Sequence, residues 1–110
     1  MSALALLPRH LDAKSISKSE VVLPMAEALE AIDLFEAKGL LILGWEGWVK
    51  DKDGCVGHGS VPQGSVSLEA LSVTEAAQLC RETIPQDAAH WLTENPGTTD
   101  ELHFCITVRA

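Results

Sequence analysis

The chain has 110 residues, 46% of them hydrophobic and 22% charged, with a formal net charge of −8. That length supports one domain with its own hydrophobic core, and the composition excludes disorder and low complexity. The acid excess sits in residues 24–110, where five bases face fourteen acids; it disfavours nucleic acid and anionic membrane surfaces and suits a basic protein partner.

Residues 1–20 are mixed in character, with Ser15, Ser17 and Ser19 interrupting any pattern. They read as a loosely packed arm or as a short helix around Ala3–Ala13. Glu20–Leu23 reads as a short extended entry. Pro24 then suits a helix's first turn, where its missing N–H costs nothing. Met25, Ala28, Leu29, Ile32 and Phe35 follow the spacing of one buried helical face, and Lys38-Gly39 supplies the stop. Glu27, Glu30 and Asp33 fall on the other side, together with Ala31, Leu34 and Ala37. That flank is partly apolar and needs a cover, from the chain or from a partner.

Leu40–Leu43 is a continuous apolar run, the mark of a central strand buried on both faces. Gly44 and Gly47 bracket Trp45, Glu46 and Trp48 and leave room for a bulge. Asp53-Gly54 signals a hairpin, with Cys55–His58 as the return strand. Residues 59–64 read as a loop and Ser65–Leu68 as a further short strand. Ser72 and Glu75 have the spacing of a capping box, opening a helix whose buried face is Val73, Ala76, Ala77, Cys80 and Ile84. Pro85 is expected to break that helix, with Gln86–Glu94 restarting as a short one. Finally Leu102, Phe104, Ile106 and Val108 alternate with His103, Cys105, Thr107 and Arg109, a half-buried strand. His103 and Cys105 fall on its less buried face.

This order predicts a single α+β domain over residues 1–110, in two layers. Two main helices pack on one face of a small, largely antiparallel sheet.

Three cysteines, Cys55, Cys80 and Cys105, give an odd count with no Cys-x-x-Cys, as expected of free thiols in a reducing compartment. The Ala3–Leu7 run is too short for a signal segment and no stretch reaches membrane-span length, so the expected location is the cytoplasm. Cys55-x-x-His58 and His103-x-Cys105 contain zinc-ligand types without the knuckle or His-x₃₋₅-His spacing that structural zinc uses, so neither metal nor cofactor is expected. Cys80 reads as an inert core thiol, and nothing identifies a base or oxyanion hole for Cys55. Gly57-His58-Gly59 lacks the frame of a phosphate loop. Catalytic residues are therefore not assigned.

Trp45-Glu46-Gly47-Trp48 is the most informative cluster. In an unbroken strand the two tryptophans point to opposite faces, one into the core and the other available as an interface anchor. The alternative puts both in the core.

Several segments carry a family resemblance. They are Leu23-Pro24-Met25-Ala26-Glu27-Ala28-Leu29-Glu30-Ala31-Ile32, Phe35-Glu36-Ala37-Lys38-Gly39-Leu40-Leu41-Ile42-Leu43-Gly44, and the Trp-containing strand into Lys50-Asp51-Lys52-Asp53-Gly54. Together with Thr74-Glu75-Ala76-Ala77 and Phe104-Cys105-Ile106-Thr107-Val108, they resemble the immunity protein 40 family of bacterial polymorphic toxin systems. Trp45-Glu46 stands where that family has Gly-Asp. The resemblance spans Leu23 to Val108 and implies a non-enzymatic cytoplasmic antidote that binds one cognate toxin domain, a basic one by charge. Trp45, Glu46 and Trp48 are then the leading contact candidates, with Glu27, Glu30 and Asp33 as a second acidic surface. The alternatives are a small α+β enzyme or ligand-binding domain with Cys55, His58 and His103 near a cleft, and an oligomerising domain, a homodimer for instance, pairing through a helix face or the last strand.

Overall fold

A computed structural model of the protein describes residues 3–57, 63–65 and 71–109. It is an α+β domain in two layers, and its shortest dimension, 19 Å, is that of one helix layer on one sheet. A 3-10 turn (Ala3–Leu6) and the short α1 (Arg9–Asp12) lead into β1 (Val21–Pro24), α2 (Met25–Ala37) and the long β2 (Leu41–Lys50). Then come β3 (Val56–Gly57), β4 (Gln63–Ser65), α3 (Val73–Glu94) and β5 (Glu101–Arg109).

The sheet is antiparallel, with β5 between β1 and β2. On its far side β2 pairs with β4 at Gly44–Glu46 and with β3 at Val49–Lys50. Register fixes which side chains share a face. Val21 lies opposite Ile106 and Leu23 opposite Phe104, while Ile106 and Phe104 lie opposite Trp45 and Gly47 across β2. These residues face the helices, and Val21, Leu23, Ile42, Trp45, Phe104 and Ile106 all enter the main core. Ile42 pairs with Val108 but Gly44 with Thr107, so Leu43 is an extra residue in β2, a bulge beside a glycine. The Leu40–Leu43 run is accordingly not buried on both faces as expected: Ile42 points into the core and is fully buried, while Leu41 and Leu43 are half-buried.

Helix α2 buries Ala28, Ala31, Ile32 and Phe35. The sequence reading put Met25 inside and Ala31 outside, and both assignments are corrected. Met25 opens the helix at its N-terminal end and is 39% exposed. Ala31 is fully buried because α3 packs alongside α2, where Arg81 reaches Asp33 and Glu36. The arm also contributes: Leu7 and Leu11 join the core, and His10 Nε2 lies 2.5 Å from Glu30 Oε2. The expected loose arm is therefore docked, and the flank that needed a cover receives it from within the chain.

Helix α3 starts on the capping box of Ser72 and Glu75 and runs unbroken to Glu94 through Pro85. The proline removes one intrahelical donor. The buried stripe of Ala77, Cys80, Ile84, Ala88 and Trp91 nevertheless continues across it at helical spacing, so packing on the sheet overrides the local break. At the hairpin after β2, Asp51 Oδ1 accepts the N–H groups of Asp53 and Cys55, and Gly54 takes a positive φ of 86°. The expected return strand is seen at Val56–Gly57. A short strand is seen at Gln63–Ser65, so Gln63 and Gly64 are strand where a loop was expected; residues 66–68 of the expected Ser65–Leu68 strand, like His58, lie outside the described residues.

One edge of the sheet is closed by the arm. Val22 N–H donates to Ser15 Oγ at 3.1 Å, and Val22 C=O accepts from Ile16 N–H at 3.0 Å. The next residue on that edge, Pro24, has no N–H to offer, so β1 presents few free groups to a passing strand.

Candidate functional site

Trp45 and Trp48 occupy opposite sides of the sheet. Trp45 is 4% exposed, its indole N–H donates to Thr83 Oγ1 at 3.1 Å, and its ring meets Phe104 edge-on at 5.4 Å between centroids. A side chain fixed this way is core, so Trp45 leaves the contact candidates. Trp48 is half-buried on the face turned away from the helices, and its indole N–H donates to Glu46 Oε1 at 2.9 Å. The strand's alternation thus separates the two rings, and the 46/48 spacing places acid and indole side by side.

Around this pair, register assembles the outer face. Glu46 lies opposite Cys105, which in turn faces Val22. Trp48 lies opposite His103, which faces Pro24. Val22 is fully buried and His103 and Cys105 are each 3% exposed. The sequence placed the last two on a less buried face; they are on the expected face, but it is closed over at its centre. The buried faces of α2 and α3 lie on the other side of the sheet, with Val21, Leu23, Trp45, Phe104 and Ile106.

The chemistry of this face is not that of a nucleophile. Burial, followed by the negative charges of Glu20 and Glu46, pushes the Cys105 thiol up to about 12. Cys80, on the buried face of α3, is pushed up to about 11 by the same loss of hydration, with Arg81 only partly opposing it. Both remain neutral thiols at physiological pH. Cys55 is exposed at the hairpin. Its proposed convergence with His58 and His103 involves a residue outside the described ones. Among the described residues, no three of His, Cys, Asp and Glu come together as a metal site.

The second acidic surface is partly occupied by the protein itself. Glu30 is engaged by His10, and Asp33 receives Arg81 Nε at 2.8 Å while Glu36 takes the same guanidinium's other end. Glu27 is half-buried in the first turn of α2. These ties were invisible in the sequence because Arg81 and His10 are remote from their partners.

Several concavities are lined by described residues. One of about 160 Å³ lies beside Cys105, between Ser19, Glu20 and Thr107. One of about 190 Å³ lies between the ends of α2 and α3. An open depression of about 410 Å³ runs along Leu71, Gln78, Leu79 and Glu82 on the solvent side of α3. The first two are smaller than sites that take small molecules, about 300–1,000 Å³. No helix of the described residues is long and apolar enough to cross a membrane.

No protein-family model, no curated protein and no solved structure matches this chain.

Proposed function

We propose that this protein is an immunity-type inhibitor, acting in the cytoplasm, that binds a cognate basic toxin domain and blocks it by steric and electrostatic means without chemistry of its own. The observation that carries the reading is the Trp48–Glu46 pair on the sheet face away from the helices. A half-buried indole held by an acid offers a rigid aromatic anchor, the residue type enriched at interface hot spots, with a charge beside it for a basic partner. The acid excess of residues 24–110 supplies the long-range attraction to a basic partner. Glu27, Glu30 and Asp33 form a weaker second surface, since two of the three already have partners within the chain.

The test is binding kinetics against a toxin domain encoded beside this chain. Trp48→Ala is expected to weaken binding by about 2 kcal/mol, roughly thirtyfold, mostly through faster dissociation. Glu46→Lys is expected to slow association while unfolding stays cooperative. Absence of binding, or binding indifferent to both variants, overturns the reading.

A further inference from the structure

The apolar groove between the ends of α2 and α3 has no role in the toxin-binding face, which lies on the other side of the sheet. Met25, Ala88, Trp91, Leu92 and Leu102 form its walls, and Asp100 stands at its rim. Among the described residues, the large apolar side chains left exposed are Met25 at 39%, Leu92 at 59% and Val56 at 43%, and the first two border this groove. Leu92 follows the buried Trp91, so a helix with one face on the sheet must turn it outward. Met25 projects from the first turn of α2.

We infer that this groove is a docking site for a basic amphipathic helix of a partner protein. Its volume, about 190 Å³, holds one or two apolar side chains, the anchors of a helix laid into a groove. The helices that frame it run antiparallel, since Arg81 meets Asp33 and Glu36 while Met25 lies near Ala88 and Leu92. Charge selects the occupant: Asp100 lines the groove, exposed Glu101 follows it, and no lysine or arginine lines it. A second copy of this chain would bring the same acids against these, and an anionic membrane would be repelled likewise. A helix with apolar residues at i, i+3 and i+4 flanked by lysine or arginine satisfies both the apolar walls and the acidic rim.

The experiment titrates isotope-labelled protein with a synthetic Leu/Lys amphipathic helical peptide, and with a permuted peptide of the same composition whose apolar stripe is destroyed. Saturable movement of the Trp91 indole and of the Met25 and Leu92 methyl signals is expected, with the Trp48 indole unmoved. The permuted peptide should bind at least about tenfold more weakly. Leu92→Glu, at an exposed position that leaves the fold intact, should abolish the movement, and Asp100→Lys should weaken it. Equal binding of both peptides, signals moving all over the acidic surface, or indifference to Leu92→Glu overturns the proposal. So does movement of the same signals on concentrating the protein alone, which would make the occupant a second copy. The toxin-binding reading stands or falls separately, because its variants lie at Glu46 and Trp48.

Discussion

Phe104 shows how much a single side chain holds. It is fully buried at the centre of β5 and meets Trp45 edge to face. Truncation removes both the transfer energy and the contacts of its neighbours, so Phe104→Ala is expected to cost about 3–5 kcal/mol by chemical denaturation. A loss below about 1 kcal/mol would mean that the site collapses without leaving a cavity. The buried thiols give a second test at this scale. Their folded-state values, about 11 for Cys80 and about 12 for Cys105, lie above the ordinary 9.0. Below pH 9 both folded and unfolded thiols are protonated, and the stabilisation is fully present. As pH rises through 9 toward 11–12 the unfolded chain releases protons that the folded one retains, and stability falls. The melting temperature should therefore decline above pH 9, less steeply in a Cys80→Ala, Cys105→Ala double variant that still folds. At pH 8 the exposed Cys55 should react with a thiol reagent long before the other two.

At the scale of elements, α3 departs from what its sequence implies. Proline in a helix interior is unfavourable by about 3 kcal/mol relative to alanine, yet α3 carries Pro85 in its middle. Pro85→Ala is accordingly expected to raise stability, by up to about 3 kcal/mol, as read by the denaturation midpoint. A decrease would show that a backbone bend there is needed for packing. Much of this layer was legible beforehand because the signals are local: the Ser72–Glu75 box, the Asp53-Gly54 turn and the alternation of β5 each lie within a few residues. What was not legible was long-range. Pro85 reads as a stop until the sheet beneath α3 is known, and Ala31 reads as exposed until Arg81 is placed against Asp33. Leu7 and Leu11 look like part of a loose arm because their partners lie in distant segments. The Trp pair was half legible: alternation separates the rings, but only the register with β5 tells which one meets the core. The Met25–Leu92 groove was missed because it lies at the junction of three elements.

For the whole molecule, the charge of −8 sets how it meets a partner. Electrostatic attraction acts on approach more than on the docked complex, so association with a basic toxin domain should slow steeply as salt rises to physiological strength, where the screening length is about 8 Å, while dissociation changes little. Stopped-flow rates across a salt series read this directly, and an association rate indifferent to salt would remove charge from the account. The fold has another consequence at this scale, in the order of synthesis. Among the described residues β1 and β2 do not pair with each other; β5, which follows both in the chain, lies between them and joins β1 to the part of the sheet built on β2, through contacts such as Val21 with Ile106. A ribosome elongating at roughly 5–20 residues per second therefore releases α2, α3 and β1 to β4 before the strand that unites β1 with β2 exists. The facing edges of β1 and β2 therefore stay unpaired until residues 101–109 emerge, which places closure of the sheet late in synthesis.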